Sequence, residues 1–339
     1  NKLVKKNLTG IITESWCSPT GKYIMWYDSK AKSYFVYDGD SLRNITSKIR
    51  VPLYDEEYDS PGDPSPYGVM GWHEGDSSVY IYDKYDIWKV NPAQSRAAYS
   101  LTANSGRKAK TSFRYPVLDL EKRFFTHADN LLLRTFSYVS KENWFANLSF
   151  LTSSTRQFDA GVSRHLIGQV SHARDVNGMY IYTKENFNSP PDLYVASVSA
   201  RLSLTDPDTV LGFQLHEEKL SAINPQQKDY NWGTAVLYKW KTFQGKQSEG
   251  ILYKPEDFNP AKQYPLILFF YERLSNGLHT YHPPSPTPSR LNISFFVSRG
   301  YLVFAPDIAY TIGHPAKSAY DFIVSAAKEL AKHKWVDDG

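Results

Sequence analysis

A single cysteine, Cys17, stands in the 339 residues, which excludes an internal disulfide and says nothing firm about redox compartment. Long apolar runs are missing too. None approaches the roughly 18 residues of a membrane span, and no secretory leader is visible. Neither sign of charge dominates: 39 Lys and Arg interleave with 35 Asp and Glu for a net +4. Without a basic stripe there is no electrostatic footprint for nucleic acid. The nine histidines are scattered, with no His-Glu-x-x-His and no cysteine pair, so neither a metal site nor a cofactor is expected. Methionine is scarce at three, and residue 1 is Asn, which reads as a segment of something larger.

What the chain has is aromatics. They make up 15% of it, with 25 Tyr, 18 Phe and 8 Trp, and this composition favours strands. Residues 1 to 228 read as short strands between turns. "ESWCSPTGKYIMWYDS" with "SYFVYDGD" and "LRNITS" forms one group, and "YGVMGWHEGDSSVYIYDKYDIWKVNP" forms a second. A third runs from "FRYPVLDLEKRFFTHADNLLLRTFSY" to "WFANLSFLTSS", and "GQVSHARDVNGMYIYTKENFNSPPDLYVASV" is the fourth. Units of about 45 to 65 residues, each with three or four strands, are the mark of a β-propeller. A β-sandwich, the alternative, does not normally repeat this way. Open blade edges would invite a homodimer.

From about residue 230 the pattern changes. "TAVLYKW" and "SEGILYK" flank Gly245 as a hairpin. "YPLILFFY" (264–271) and "YLVFAPD" (301–307) are continuous apolar runs of the buried parallel type. "SRLNISFFVSRG" reads as a helix ending at Gly300, and Ser318 opens a second whose Tyr320, Ile323, Ala327, Leu330 and Ala331 recur at helical spacing. Strand and helix in alternation predict parallel α/β structure, with a site at the carboxyl ends of the strands, where Tyr271 and Asp307 fall.

This order resembles the prolyl oligopeptidase family of serine peptidases, above all its dipeptidyl-peptidase and acylaminoacyl-peptidase branches. "SPTGKYIMWYD" is similar to the family's blade motif and "FNSPPDLYV" to its last-blade strand. "NWGTAVLYKWKTFQGKQSEGILYKPEDFNPAKQYPLILFFY" is similar to its crossing into the peptidase domain, and is the most specific of the three. The resemblance implies a mainly β plus α/β chain: a partial β-propeller of about four blades over 1–228, then the N-terminal part of an α/β-hydrolase domain over 229–339. It implies hydrolysis of short peptides by a Ser-Asp-His triad, and an extracytoplasmic (periplasmic or secreted) setting. The family's Gly-x-Ser-x-Gly elbow is not in the chain, so none of the triad is expected in it. The serine is expected beyond Gly339, with "WVDD" as the turn before its strand, and the segment alone is expected to be inactive.

The resemblance also supplies site residues. Tyr271 matches the position of a tyrosine or histidine that begins the family's oxyanion loop. A donor there stabilises the tetrahedral intermediate by about 3 kcal/mol. Relatives continue with glycines and proline, whereas this chain has Glu272 and Arg273, which puts a backbone donor in question. Glu56 and Glu57, in "YDEEYD", are the substrate-binding candidates, because dipeptidyl-peptidases hold the substrate's amino terminus with paired glutamates. Acidic loops are more often simply solvated. His279 and His282 flank a Pro-rich loop and read most simply as exposed. Asp307 and Asp337 precede any elbow and so do not fit the triad's order. Asn7, Asn44, Asn147 and Asn292 head three-residue sequons. A non-catalytic propeller or hydrolase-like binding protein is the rival class, and glycoside hydrolysis is a weaker third, since no carboxylate pair sits in a recognisable pocket.

Overall fold

The computed structural model describes residues 12–150, 154–157, 165–173, 176, 178–202, 210–286 and 290–337. Strands hold 39% of the chain against 13% in helices, as the aromatic composition favours. The first sheet is β1 (Ile12–Cys17), β2 (Ile24–Asp28), β3 (Ser33–Tyr37) and β4 (Leu42–Asn44). The second is β5 (Val69–Trp72), β6 (Val79–Tyr82), β7 (Ile87–Val90) and β8 (Tyr99–Ser100). A short helix α1 (Ser105–Ala109) leads to the third sheet, β9 (Thr111–Arg114), β10 (Asn130–Ser137), β11 (Asn143–Ser149) and β12 (Ser154–Gln157). The fourth is β13 (Leu166–His172), β14 (Met179–Asn186), β15 (Ser189–Leu202) and β16 (Val210–Lys219). In all four, neighbours in the sheet are neighbours in the chain. The described pairings are antiparallel.

The Ser-Pro-Thr-Gly turn between β1 and β2 shows why such a motif belongs in a blade. Ser18 Oγ accepts from Tyr23 N at 2.9 Å, which closes the turn. It also donates to Asp76 Oδ2 at 2.5 Å, in the β5–β6 turn of the next sheet. One hydroxyl thus shapes its own hairpin and ties it to the following one.

Burial separates a propeller-type stack from a sandwich. In β6, Val79 and Ile81 join a core with Tyr27, Tyr34 and Val36 of the first sheet. Tyr80 and Tyr82 join a different core with Leu133, Ala146 and Leu148 of the third. Alternate side chains of one strand point to opposite faces, so the second sheet lies between two others. A sandwich has two sheets, each with an outer face toward solvent. Gly71 sits at the register shift between β5 and β6 with φ +152°, and a Cβ there would meet Phe125 Cε2 at 2.7 Å. This bulge lets Val69 and Trp72 share one core while Met70 enters the other.

The chain divides into two compact units, one of residues 1–139, 144–160 and 198–215, the other of 140–143, 161–197 and 216–339. The expected boundary at 228/229 falls inside the second unit. That unit carries a five-stranded mixed sheet of β17 (Thr234–Lys241), β18 (Gln247–Lys254), β19 (Tyr264–Leu268), β20 (Leu302–Pro306) and β21 (Val336–Asp337), ordered β17-β18-β20-β19-β21. The hairpin at Gly245 is antiparallel, as is the β18–β20 pair, and β19 runs parallel to both β20 and β21. In β20, Leu302 and Phe304 pack with Phe322, Ala326 and Leu330 of helix α3 (Pro315–Leu330). Val303 and Ala305 pack with Ile293 and Val297 of helix α2 (Ile293–Val297). Helices therefore cover both faces, as parallel strands require.

Three local expectations shift. The helix expected from "SRLNISFFVSRG" is one short turn, because Asn292 accepts from Phe295 N at 2.9 Å and so caps the helix there. The apolar run "YPLILFFY" stops being a strand at Leu268. Phe269 N still donates to Phe304 O at 2.9 Å, and then Phe270 and Tyr271 turn outward. "WVDD" holds more than a turn, since Val336 and Asp337 already pair in parallel with Tyr264 and Pro265. Asn7 and Gly339 lie outside the described residues. Among the other sequons, Asn147 is buried and Asn292 spends its amide on Pro283 O and Ser285 O.

Candidate functional site

The carboxyl ends of β19 and β20 come together, and the loops leaving them are bound to each other. Tyr310 Oη donates to Tyr271 O at 2.8 Å, and Ile308 N donates to Glu272 O at 3.0 Å. Asp307 accepts from Leu274 N and Ser275 N, both at 2.7 Å, and from Ser275 Oγ at 2.5 Å. Burial raises the Asp307 carboxyl above its ordinary range against those hydrogen bonds and the nearby Lys141 ammonium. Beneath the loop, the buried Lys141 ammonium meets Glu249 Oε1 at 2.6 Å and Asn276 Oδ1 at 3.1 Å. Asp307 is thus a structural anchor for residues 272–277.

Tyr271 projects from this junction with 71% of its surface exposed, so its hydroxyl is available to a ligand. Farther along the loop, two backbone donors are already engaged. The Leu274 and Ser275 amides are consumed by Asp307 and cannot also serve an oxyanion. The described partners of the Ser275 hydroxyl are carboxylates, Asp307 and more distantly Glu249 at 3.5 Å, which is not a base-activated nucleophile.

Glu56 and Glu57 lie in the first unit, and both are engaged. Arg107 grips Glu56 with two guanidinium nitrogens at 3.0 and 3.1 Å. Lys84 Nζ meets Glu57 Oε1 at 2.7 Å and sits over the Tyr138 ring at 4.7 Å. The two acids therefore share their site with two cations. His279 and His282 are half-buried rather than exposed: His279 Nε2 meets Ser140 O at 3.1 Å, and His282 packs on Phe187 and Tyr253. Asp337 is exposed at the sheet edge. A cleft of about 920 Å³ opens elsewhere in the second unit, lined by Tyr230, Trp232, Tyr281, Phe295 and Arg299 but by none of the strand-end residues. Among the described residues no group of three or more His, Cys, Asp and Glu could hold a metal, and no helix is long and apolar enough to cross a membrane.

Lys141, Lys84 and Arg107 escaped the sequence reading. Lys141 stands in "YVSKEN" like any loop lysine, and its partner Asn276 is 135 residues away. Arg107 stands within an unremarkable "NSGRK" segment. No local signal distinguishes such residues.

No family profile matches the sequence, and no curated protein matches it. Solved structures do match. Prolyl oligopeptidase B from Galerina marginata, bound to a 25mer macrocyclization substrate, aligns over 95% of this chain with TM-score 0.52 and 12% identity. The same protein bound to a 35mer hydrolysis and macrocyclization substrate gives TM-score 0.53 at 11% identity. This chain is similar in fold to prolyl oligopeptidase. It spans 42% of that protein's length, and the four-stranded sheets agree with a partial propeller.

Proposed function

We propose that the chain is part of a serine-type peptidase of the prolyl oligopeptidase family that hydrolyses short peptides. The observation that carries this reading is the likeness in fold over 95% of the chain, which spans the four sheets and the mixed sheet alike. In this reading residues 229–339 are the first part of an α/β-hydrolase domain, and the triad serine, aspartate and histidine come from sequence beyond Gly339. The serine attacks the scissile carbonyl, the histidine moves the proton and the aspartate orients the histidine. Tyr271 donates its hydroxyl to the developing oxyanion. That role suits the exposed hydroxyl and the loop that Asp307 anchors behind it. Glu56 and Glu57, of the dipeptidyl-peptidase likeness, accept the substrate's ammonium once Arg107 or Lys84 gives way. Open sheet edges favour a homodimer.

Three measurements test this. The natural transcript read past Gly339 is expected to encode an apolar strand and Gly-x-Ser-x-Gly within about 15 codons. A stop codon, or a strand without that elbow, removes the peptidase reading. The chain alone is expected to cleave no fluorogenic dipeptide. In the full-length protein, Tyr271→Phe is expected to lower kcat by about 100-fold with little change in KM; unchanged turnover removes Tyr271 from the chemistry.

One observation favours a second reading, a non-catalytic binding protein built on the same fold. Two amides of the loop after Tyr271, those of Leu274 and Ser275, are already bound to Asp307 and are lost as oxyanion donors. Missing peptidase activity in a full-length protein with an intact elbow would select that reading.

A further inference from the structure

The second sheet gathers two of its connections at one end. Antiparallel strands in chain order return every other connection to the same side, so the β5–β6 turn (73–78) lies beside the β7–β8 connection (91–98). Between them is a pocket of about 380 Å³, lined by His73, Lys89, Arg96 and Tyr99 with the serines of both loops. No Asp or Glu lines it among the described residues.

Its walls are tied together. Asn91 Nδ2 donates to Ser77 O at 3.1 Å, and Asn91 Oδ1 accepts from Ser95 N at 3.1 Å and Ser95 Oγ at 3.2 Å. A single amide thus holds the two loops in register. Lys89 pairs across the sheet with Tyr80 on one side and Tyr99 on the other. Tyr80 Oη meets His73 Nδ1 at 2.8 Å, which leaves Nε2 as the ring nitrogen not held by Tyr80.

Lys30, Arg43, Lys84, Arg107, Lys122 and Lys141 all meet carboxylates within 4 Å. Lys89 and Arg96 have no such partner among the described residues, although Lys89 is half-buried. The acids that act on His73, Glu74 and Asp129, do so more weakly than Lys89 and His127, and Asp129 is itself paired with Lys122 at 2.9 Å. A half-enclosed concavity with two unpaired cations, a ring nitrogen and no acid attracts an anion. A guanidinium fork beside an ammonium suits the several oxygens of a tetrahedral oxyanion better than a lone halide.

We propose that this pocket binds a phosphate group, free or carried on a small monoester, through Lys89, Arg96 and His73 Nε2. The test is calorimetric titration of the chain with inorganic phosphate and with methyl phosphate, at constant ionic strength set by chloride. Saturable binding of phosphate is expected, weakened about tenfold or more by Arg96→Ala and by Lys89→Ala, since each removes one charge-assisted contact. Arg96 is exposed in a loop, so its removal leaves the sheet intact. Lys30→Ala, distant and already paired with Asp63, is expected to bind as the parent does. Methyl phosphate binding as tightly identifies a carried phosphate as the ligand; binding of inorganic phosphate alone identifies the free anion. Absence of saturation below about 10 mM of either probe overturns the proposal. So does equal binding by both pocket variants and the parent, which would mean diffuse attraction by the whole surface.

Discussion

The second sheet and the mixed sheet are both buried on two faces, and they differ in what covers them. In β6 the run Val79, Tyr80, Ile81, Tyr82 sends alternate residues into cores shared with two other sheets. In β20 the run Leu302, Val303, Phe304, Ala305 sends alternate residues toward α3 and α2. Sheets stack about 10 Å apart, a gap that wide rings fill. Accordingly Tyr80 meets Phe150 at 5.0 Å and Phe125 at 5.9 Å between ring centres. Helices bring their own side chains to the interface, so the strands beneath them can be aliphatic. The same two-residue period thus places tyrosines at alternate positions of β6 and mainly aliphatic residues around Phe304 in β20.

If each region keeps its own cores, each responds to its own cavities. Phe304→Ala is expected to cost the second unit about 4 kcal/mol and Leu133→Ala the first about 3 kcal/mol, as for other fully buried truncations. Urea unfolding followed by a probe in each unit is expected to show one transition moved by each variant. Equal movement of both transitions by either variant would merge the two regions into one cooperative body, and the comparison would lose its thermodynamic meaning.

Asp307 sharpens the contrast at a smaller scale. It anchors the strand-end loop through two amides and one hydroxyl, so Asp307→Ala leaves three donors without their acceptor. A loss of about 2 kcal/mol is expected, because the burial cost that raises its pKa also disappears. Amide exchange at Leu274 and Ser275 is the measurement. Unchanged protection there would mean that the Lys141–Glu249 pair, not Asp307, holds the loop.

These cases show what the sequence carries. The four strand groups were legible because each strand is short, its alternation is local and its turns are marked by residues such as Ser18-Pro19-Thr20-Gly21. The mixed sheet was legible from two apolar runs and one amphipathic helix. Element ends were less so: Tyr271 carries the apolar character of a strand but lies outside it, because pairing with β20 ends at Phe269. The anchoring contacts of the site were not legible at all. Lys141 with Glu249 and Arg107 with Glu56 join residues far apart in sequence, and nothing local distinguishes a buried ion pair from two solvated charges.

The histidines give a pH test of the second unit. Burial lowers the pKa of His282, and burial with the Lys184 charge lowers that of His165. A folded-state pKa below the unfolded value near 6.5 means that the unfolded chain binds more protons as pH falls. Stability from these groups is full above about pH 6.5 and is lost as pH drops toward the folded pKa values. The second unit's midpoint is therefore expected to fall between about pH 7 and pH 5, and by less in His282→Gln. A midpoint that rose with acid would reverse the assignment.

The smallest expected effect concerns Glu57, and it separates structural from functional use of the acidic pair. Lys84 is nearly buried, whereas 48% of the Glu57 side chain is exposed, so water screens the ion pair from one side. The Lys84 ammonium also keeps the faces of Tyr85 and Tyr138 at 5.4 and 4.7 Å when the carboxylate is gone. Glu57→Gln is therefore expected to cost only about 0.5–1 kcal/mol, within the range of exposed pairs. Arg107 holds Glu56 by two parallel bonds, a geometry with more to lose, so Glu56→Gln is expected to cost more. A double-mutant cycle of Glu57→Gln with Lys84→Met measures the first pair without the remainder of the cluster. If the glutamates hold a substrate ammonium in the full-length protein, Glu57→Gln raises KM for peptides with a free amino terminus and leaves blocked peptides unaffected. An equal change for both peptides, alongside a measurable coupling to Lys84, assigns the pair to the architecture of the sheet rather than to its ligand.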